Sequence, residues 1–310
     1  MVVKGKKIFV GLSGGVDSAV SAALLKRAGA RVTGVFIKGW YPPGMPCTWA
    51  AERRDAMQVA ARLGIPFRTL DASAEYKKGV IEYLLAEYRA GRTPNPDVMC
   101  NREVKFGAFY RYAGAEGADA IATGHYRAGE KDQSYFLWAV PKDILNATIF
   151  PVGNFEKSRV RALARTFDLP VADKKDSQGV CFLGPVSVKE FLEKEFGGDN
   201  PALLYTLGQK APLPGGPWYV VEKDIVKKEV KVSKTRSSSS ARGVSFTDAN
   251  WQSEPSGPLE AQCRYRGPRV RGHVERNRFI SVEPLPVSAP GQSIVFYRDT
   301  KLVGGGIIAE

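Results

Sequence analysis

The sequence predicts an α/β protein with a doubly wound parallel sheet, followed by a short middle segment and a C-terminal antiparallel β-barrel. In the first half, apolar stretches of strand length alternate with stretches of helical periodicity, the pattern of a parallel sheet covered by helices. In the last third, eight short alternating stretches are separated by turn residues, which is typical of a small antiparallel barrel or sandwich. A Gly- and Pro-rich stretch between Gly197 and Pro217 separates the two parts.

The first half contains four predicted strands and three long predicted helices. Gly64 and Pro66 end one of these helices, and Thr48 is a suitable cap for its start. Two shorter helices are expected further along, at Lys157–Phe167 and Val188–Phe196. The predicted strands are Lys7–Val10, Val32–Ile37, Phe67–Leu70 and Asp119–Thr123, and the long helices are Ser18–Gly29, Thr48–Leu63 and Ala74–Ala90.

We expect three domains: an α/β domain over residues 1–184, a reduced central segment over 185–217 and a β-barrel over 218–310. The strands expected in the barrel are Trp218–Val221, Glu229–Val232, Gly243–Phe246, Glu260–Tyr265, Val270–Val274, Phe279–Val282, Ser293–Tyr297 and Leu302–Ile308.

The chain is strongly basic, with a formal net charge of +13 and an isoelectric point near 9.5. An excess of Lys and Arg favours a polyanionic partner such as nucleic acid, although the charge could serve solubility alone. No apolar run is long enough to span a membrane, and Met1–Val10 lacks the features of a secretory signal. We therefore expect a cytoplasmic protein without a membrane partner.

The four cysteines form no C-x-x-C pair, and His125 and His273 are the only histidines, so no structural metal site is expected. An isolated cysteine is either a small buried hydrophobe or a reactive thiol. Cys47 and Cys263 are interpreted as buried. Cys100 and Cys181 lie near several Lys and Arg residues, which lower the pKa of a thiol, and both are predicted to lie in polar, reactive loops.

A glycine-rich stretch, G-L-S-G-G-V-D-S at Gly11–Ser18, follows the first strand and opens a helix. Its glycines let backbone amides turn toward an anion, and the helix N-terminus favours negative charge. It is neither a Walker A loop nor a G-x-G-x-x-G motif. It resembles the phosphate loop of the ATP pyrophosphatase (PP-loop) families, which adenylate an oxygen of their substrate and release pyrophosphate. Asp17 would repel phosphate unless it holds Mg²⁺ or caps the helix.

The PP-loop resemblance implies ATP, with Mg²⁺, as the nucleotide substrate. The positions that it implies for ATP binding are Gly11, Leu12, Ser13, Gly14, Gly15, Val16, Asp17, Ser18, Ile37 and Gly124.

Motifs along the whole chain resemble one family of this superfamily, the bacterial tRNA-specific 2-thiouridylases. The motifs are T-P-N-P-D-V-M-C-N-R-E-V-K-F (Thr93–Phe106), A-T-G-H-Y (Ala122–Tyr126), K-D-Q-S-Y-F-L (Lys131–Leu137), K-K-D-S-Q-G-V-C-F-L-G (Lys174–Gly184), T-L-G-Q-K (Thr206–Lys210), P-G-Q-S-I-V-F-Y (Pro290–Tyr297) and G-G-G-I-I (Gly304–Ile308).

The resemblance implies a tRNA substrate and an ordered chemistry. ATP adenylates the C2 oxygen of the wobble uridine, and sulfur then displaces AMP. Cys181 would carry the sulfur as a persulfide received from a donor protein, Cys100 would be the second thiol, and Asp97 an acid/base in a loop stiffened by Pro94 and Pro96. The implied tRNA contacts are Asn95, Pro96, Asp97, His125, Lys131, Asp132, Gln133, Arg264, Tyr265 and Gln292. A satisfied structural histidine is the alternative for His125.

A second basic feature lies on the strands around residues 264–278, where six arginines face one carboxylate, that of Glu275. We interpret them as a phosphate-binding surface, with Tyr265 available to stack on a base. The chain is also shorter than is usual for the family. It lacks a hairpin between Tyr126 and Lys131 and most of a middle domain between Phe196 and Tyr205, which leaves the accepted tRNAs open.

Two other functions remain open at this stage. A PP-loop ligase for a small metabolite would turn over ATP without RNA. An RNA-binding protein with a degenerate ATP site would bind tRNA without consuming ATP.

Overall fold

The computed structural model describes residues 3–44, 49–175, 188–235 and 241–309. The chain divides into two compact units, each made of two stretches of sequence. The first unit comprises Met1–Val80 and Asp97–Pro185, and the second comprises Ile81–Pro96 and Val186–Glu310. In the described part of the chain, each helix is too short or too polar to cross a membrane.

The first unit contains a five-stranded parallel sheet in the order β3-β2-β1-β4-β5. The four predicted strands are confirmed. The fifth strand was not predicted, because two residues are too few to show a period. The strands are β1 (Lys7–Gly11), β2 (Arg31–Lys38), β3 (Phe67–Asp71), β4 (Ala120–Ala122) and β5 (Thr148–Ile149).

The strand order reverses beside β1, and this reversal locates the site. β1 pairs in parallel with β2 on one side and with β4 on the other, so that Ile8 lies opposite both Val32 and Ala120. In open parallel sheets, ligands bind beyond the carboxyl ends of the two strands at such a switch point. The loops that leave β1 and β4 are the glycine-rich stretch and the Thr123–Tyr126 stretch.

The five predicted helices are confirmed. Two helical runs contain π-helical turns, Lys77–Glu82 between α3 and α4 and Asn101–Ala108 between α5 and α6, and Ser134–Leu137 is a 3₁₀ helix. The predicted Ala74–Ala90 helix is therefore one helical run with a π-helical centre. The α-helices are α1 (Val16–Arg27), α2 (Trp49–Leu63), α3 (Ser73–Tyr76), α4 (Tyr83–Arg89), α5 (Pro96–Cys100), α6 (Phe109–Ala115), α7 (Lys142–Asn146), α8 (Lys157–Thr166), α9 (Val188–Phe196) and α10 (Pro201–Leu204).

The core of the first unit holds β1 and α1 in place. Ile8 and Val10 of β1 are fully buried and share one apolar cluster with Val20 of α1, Val59 of α2 and Val160 of α8. Most of α1 is buried, which suits a helix that packs on several neighbours rather than along a single face. The N-terminus of α1 is therefore fixed where β1 ends.

The second unit contains a closed antiparallel barrel in the order β10-β11-β12-β9-β14-β13. Phe246, Phe279 and Phe296 are buried in its core, and the ring centre of Phe296 lies 5.2 Å from that of Phe246 and 5.6 Å from that of Phe279. The predicted barrel class is confirmed. Its strands are β9 (Gly243–Trp251), β10 (Leu259–Gln262), β11 (Val270–Glu275), β12 (Arg278–Ser281), β13 (Ser293–Arg298) and β14 (Lys301–Ile308).

Two of the eight strands expected in the barrel lie elsewhere. β7 (Trp218–Asp224) and β8 (Glu229–Ser233) pair with each other and with β6 (Lys210–Ala211) in a separate three-stranded sheet. Their inclusion in the barrel was wrong, because an alternating pattern predicts a strand but not its partner. The expected domain intervals 1–184, 185–217 and 218–310 stay a prediction.

Candidate active site

The turn between β1 and α1 is held by glycines and two serines. Gly14 has a φ of +75°, and a Cβ there would come within 2.5 Å of the Glu52 carbonyl oxygen, so only glycine fits. The Ser18 hydroxyl donates to the Gly15 carbonyl oxygen at 3.1 Å and accepts from the Ser13 amide at 3.2 Å. Gly15 is the N-cap residue and has no side chain to cap α1. The first amides of α1 therefore suit an anion.

Gly124 brings the end of β4 against the start of α1. A Cβ at Gly124 would lie 2.7 Å from the Ser18 nitrogen and 2.9 Å from the carbonyl carbon of Asp17. At the end of β2, the Ile37 side chain lies 3.8 Å from where a Cβ of Gly11 would be. Gly124 and Ile37 thus lie beside the predicted phosphate loop, which begins at Gly11.

Two residues predicted to bind ATP point into the core. Leu12 and Val16 are only 1% and 3% exposed, and the Leu12 amide already donates to the Val35 carbonyl oxygen at 2.8 Å. Their role in ATP binding stays a prediction.

Asp17 is neutralised by a lysine that sequence reasoning missed. Lys157 Nζ donates to both carboxylate oxygens of Asp17, at 2.7 and 2.9 Å, and the Tyr126 hydroxyl donates to Oδ1 at 2.6 Å. Asp17 thus forms an ion pair in the structure, and its expected roles as a Mg²⁺ ligand or a helix cap stay predictions. Lys157 is the first residue of α8, where the helix dipole disfavours a cation, and this unusual position was the available signal.

Lys174 contacts the same loop from another side. Its ammonium donates to the Gly14 carbonyl oxygen at 3.1 Å and pairs with the carboxylate of Asp55. Lys174 and Asp55 also line a cavity of about 420 Å³. The loop thus has two ammonium groups beside it, each paired with a carboxylate, which suits a polyanionic ligand.

Asp97 and Cys100 lie on a helix, so the prediction that both lie in a loop was wrong. Pro96 is the first residue of α5, where its fixed φ and missing N–H are compatible with a helix start. Asp97 and Cys100 are one helical turn apart. Burial raises the pKa of Asp97, and the charge of Lys105 opposes this effect in part.

Cys100 is only 2% exposed, so the expectation that it is not a buried thiol was wrong, and its reactivity stays a prediction. The next residue, Asn101, donates from Nδ2 to the Phe136 carbonyl oxygen at 3.0 Å. This hydrogen bond holds the first residue of the π-helical segment that follows Cys100.

His125 lies in a neutral, partly buried setting. Its Nδ1 is 3.0 Å from the Thr123 hydroxyl, and its ring centre is 5.3 Å from that of Phe106. Burial, helped by the charge of Lys105, lowers the pKa of His125 from 6.5 to about 3. The ring is therefore neutral at physiological pH, and the predicted tRNA contact would be a neutral one.

Gln133 and Asp132 organise the chain beside Tyr126. The Tyr126 amide donates to Gln133 Oε1, and the Gln133 amide donates to the Tyr126 carbonyl oxygen, both at 3.0 Å. Asp132 Oδ1 accepts from the Ser134 amide at 2.8 Å. Lys131 is half-buried. These bonds fix the backbone of Tyr126, whose hydroxyl contacts Asp17.

In the second unit, two motifs that are roughly 200 residues apart in sequence lie in contact. Gln292 Nε2 donates to the Thr93 carbonyl oxygen at 2.8 Å, and the Ser293 amide donates to Asn95 Oδ1 at 2.8 Å. Asn95, Pro96 and Gln292 were predicted to contact tRNA. In the structure, Asn95 and Gln292 also connect the 92–96 segment to the barrel.

Arg264 and Tyr265 follow the barrel strand β10. Arg264 Nη2 donates to the Leu207 carbonyl oxygen at 2.7 Å, and the guanidinium of Arg266 lies 5.3 Å from the Tyr265 ring centre. Both predicted tRNA contacts are half-buried. Their role in binding tRNA stays a prediction.

The predictions for the other three cysteines have different outcomes. The interpretation of Cys263 as a buried thiol is confirmed, because it is 4% exposed and burial raises its pKa. Cys181 and Cys47 lie outside the described residues. In the part of the chain that is described, no group of three His, Cys, Asp or Glu side chains is arranged to hold a metal ion.

Comparisons with known proteins agree with this architecture. Residues 6–185 match the family described as the tRNA methyl transferase HUP domain, and residues 241–308 match the aminomethyltransferase beta-barrel domain. The tRNA-specific 2-thiouridylase MnmA of Marinomonas sp. is 42% identical over 357 residues, covering 98% of this chain and 91% of the relative. The protein of the same name from Pseudoalteromonas translucida is 39% identical, covering 97% of both chains.

The parallel sheet with a glycine-rich loop at its switch point and the match to the HUP domain family together define an α/β protein of the HUP class. Within that class, the chain belongs to the tRNA-specific 2-thiouridylase family. The alignment with the Marinomonas relative spans 357 residues and this chain has 310, so the relative contains residues that this chain lacks.

Replacing Gly124 tests the close approach of β4 to α1. We expect Gly124→Ala to destabilise the protein by about 1–3 kcal/mol, because its methyl group would overlap the backbone of Ser18. ATP binding should weaken as the start of α1 is displaced. Urea unfolding and calorimetric titration with ATP measure the two effects.

Gly114→Ala is the control for Gly124→Ala. It lies in α6 of the same unit with open space around the added carbon, so stability should hold or rise by up to about 1 kcal/mol. Unchanged ATP affinity in Gly124→Ala would show that the contact does not shape the site.

Removing Lys157 tests the neutralisation of Asp17. We expect Lys157→Met to weaken ATP binding about tenfold, because the exposed carboxylate would repel phosphate. The double variant Asp17→Asn with Lys157→Met should recover most of this loss. Lys142→Met is the control. Lys142 is also the first residue of its helix, α7, but it is exposed, so this variant should bind ATP normally. No recovery in the double variant would contradict the neutralising role.

Proposed function

We propose that this protein is an ATP-dependent tRNA-uridine 2-sulfurtransferase that converts the wobble uridine of tRNA to 2-thiouridine. The observation that carries the proposal is the neutralised anion loop at the switch point of a chain that belongs to the 2-thiouridylase family. Asp97 and Cys100 lie in the same unit as this loop.

The first step is adenylation. The C2 oxygen of uridine attacks the α-phosphorus of ATP, a P–O bond to the β-phosphate breaks, and pyrophosphate leaves. The loop amides and the start of α1 hold the leaving pyrophosphate. Asp17 does not oppose this charge because Lys157 pairs with it. We assign magnesium to the substrate, as the complex with ATP, and derive no step from a protein-bound metal.

The second step is sulfur transfer. A persulfide on Cys181 supplies the sulfur atom that forms a bond to C2, and AMP leaves. In one route the persulfide attacks directly, and Cys100 then attacks Cys181 Sγ, forming a Cys100–Cys181 disulfide and releasing thiolated tRNA. In the other, Cys100 first attacks the persulfide and frees hydrosulfide, which attacks C2. Both routes leave a disulfide that a cellular dithiol must reduce, and both need a sulfur-donor protein to reload Cys181.

Asp97 is suited to proton transfer in these steps. Burial raises the pKa of Asp97, so this pKa lies closer to neutral pH than that of an exposed aspartate. Its place one helical turn before Cys100 keeps an acid/base and a thiol on one rigid element. His125 remains neutral, so it would contact RNA as a hydrogen-bonding or stacking group.

The charge distribution of the barrel supports a tRNA substrate. Exposed arginines lie on β11 and β12, on the adjoining turns and directly before β9, and Arg269 stacks on Tyr297 with its guanidinium 3.6 Å from the ring centre. Arginine contacts to phosphate position RNA without reading its sequence. The wobble base must then leave its stack to reach a thiol, as base-modifying enzymes require. The exposed arginines are Arg242, Arg266, Arg271, Arg276 and Arg278.

Mass analysis of tRNA nucleosides after incubation with ATP, Mg²⁺ and a persulfide donor tests the proposal. Wild-type protein should yield 2-thiouridine, and Cys181→Ala should yield none while tRNA-dependent release of pyrophosphate continues. Normal thiolation by Cys181→Ala would remove Cys181 from the mechanism. ATP turnover without RNA would favour a small-metabolite ligase instead.

Cys100→Ala separates the two sulfur-transfer routes. In the direct route, it should leave tRNA joined to Cys181 through a disulfide, which non-reducing gels detect and a dithiol releases. In the hydrosulfide route no adduct forms and added sulfide restores the product. Cys263→Ala removes a buried barrel thiol and should thiolate normally. Wild-type rates in Cys100→Ala with the protein donor would refute both routes.

The pH dependence of the reaction tests Asp97. If the carboxylate is the active form, the rate should fall as pH decreases through its pKa. Lys105→Met removes a positive charge that lowers the pKa of Asp97. The acidic limb of the rate–pH profile, where the rate falls, should therefore move to higher pH. Lys105→Arg should leave the limb in place, as should Arg102→Met, because Arg102 pairs with Glu103. An unmoved limb in Lys105→Met would exclude Asp97 as the titrating group.

A further inference from the structure

The segment of residues 92–96, which leads into α5, is bound tightly within the second unit. The Thr93 amide donates to the Pro290 carbonyl oxygen at 2.8 Å, and the Thr93 carbonyl oxygen accepts from Gln292 Nε2. Asn95 accepts from the Ser293 amide at 2.8 Å. These bonds connect the segment to residues 290–293, which lead into β13.

The backbone at Gly291 shows how closely the two stretches approach. Gly291 has a φ of +88°, and a Cβ there would lie 3.0 Å from both the nitrogen and the oxygen of Thr93. A side chain at this position would push the segment away. Thr93 itself is only 6% exposed.

The Thr93 side chain has a separate partner on the three-stranded sheet. Lys223 Nζ on β7 donates to Thr93 Oγ1 at 2.7 Å. Within the described residues, Lys223 has no carboxylate within ion-pair distance, whereas the neighbouring Lys231 pairs with Glu222 and Lys227 with Asp224. Burial lowers the pKa of Lys223 to about 8. A partly buried lysine without a counter-ion is uncommon. The ammonium group of Lys223 donates to the buried hydroxyl of Thr93.

We propose that Lys223 is a positioning residue that, through Thr93, holds the 92–96 segment and so fixes Pro96, the first residue of α5. The inference rests on the proposed function, because Asp97 is joined to Pro96 by one peptide bond and Cys100 lies one turn further along. Loss of the Lys223–Thr93 bond would leave the backbone bonds of Thr93 and the bond between Asn95 and Ser293, but it would release the Thr93 side chain. Asp97 and Cys100 would then be less well ordered, which would lower the rate of thiolation more than the affinity for tRNA.

The test is single-turnover thiolation at saturating tRNA and ATP. Lys223→Met and Thr93→Val should each lower the rate about tenfold while the Kd for tRNA changes less than about twofold. The double variant should be no slower than either single variant, because both remove the same bond. Lys223→Arg keeps a donor and should restore much of the rate. Lys231→Met removes the same charge from an exposed position of β8 and should react normally.

Two results would overturn the inference. If Lys223 contacts tRNA phosphate, Lys223→Met would weaken tRNA binding, reduce its salt dependence by about one charge and leave the saturated rate intact. If Lys223 only stabilises the fold, Lys223→Met would lower the melting temperature and leave the saturated rate unchanged.

Hydrogen exchange separates failure of this inference from failure of the proposed function. In Lys223→Met without tRNA, the amides of Thr93 and Asn95 should exchange faster than in wild type, whatever reaction the protein catalyses. Unchanged exchange would refute the anchoring role. Absence of 2-thiouridine with wild-type protein would refute the function instead.

Discussion

The ion pair between Lys157 and Asp17 is the interaction on which the candidate site depends. Asp17 lies in the first turn of α1, beside amides that suit an anion, and an unpaired carboxylate there would repel an anion. The pair is partly buried, with the lysine and aspartate side chains 15% and 30% exposed, so water screens it less than a surface pair. Tyr126 adds a neutral donor to the same carboxylate. This arrangement allows an acidic residue to lie inside an anion-binding loop.

The position of that ion pair follows from strand order. Lys157 begins the helix that follows β5, Tyr126 follows β4, and Asp17 follows β1. All three strands run in parallel, so their carboxyl ends lie at one edge of the sheet. Gly124 must lack a side chain because the stretch after β4 passes directly over the start of α1. Sheet topology, rather than sequence proximity, therefore assembles the loop and its counter-charge.

The sequence predicts much of this fold because its signals are local. The strand β1, the turn at Gly14 and the barrel strands each have their own periodicity or turn residues. The partners of Asp17 and Thr93 could not be predicted, because Lys157 and Lys223 are distant in sequence and belong to no recognised motif. The same limit explains the wrong grouping of β7 and β8 with the barrel. The loop expected at Asp97 and Cys100 was wrong for a local reason, since a proline at a helix start resembles one in a turn.

The burial of Cys100 constrains how the proposed chemistry can proceed. A thiol that is 2% exposed cannot meet a tRNA base unless neighbouring side chains or the helix itself move. Cys100 directly precedes an eight-residue π-helical stretch, and π-helical turns are rare and concentrated at functional sites. The π-helical turns have a different hydrogen-bond register from α5, which ends at Cys100. A small shift where the two helical forms meet can therefore change the exposure of Cys100. Protection of the thiol before tRNA binds would also limit its oxidation, which follows access as well as ionisation. Burial is therefore compatible with catalysis if tRNA binding exposes the thiol.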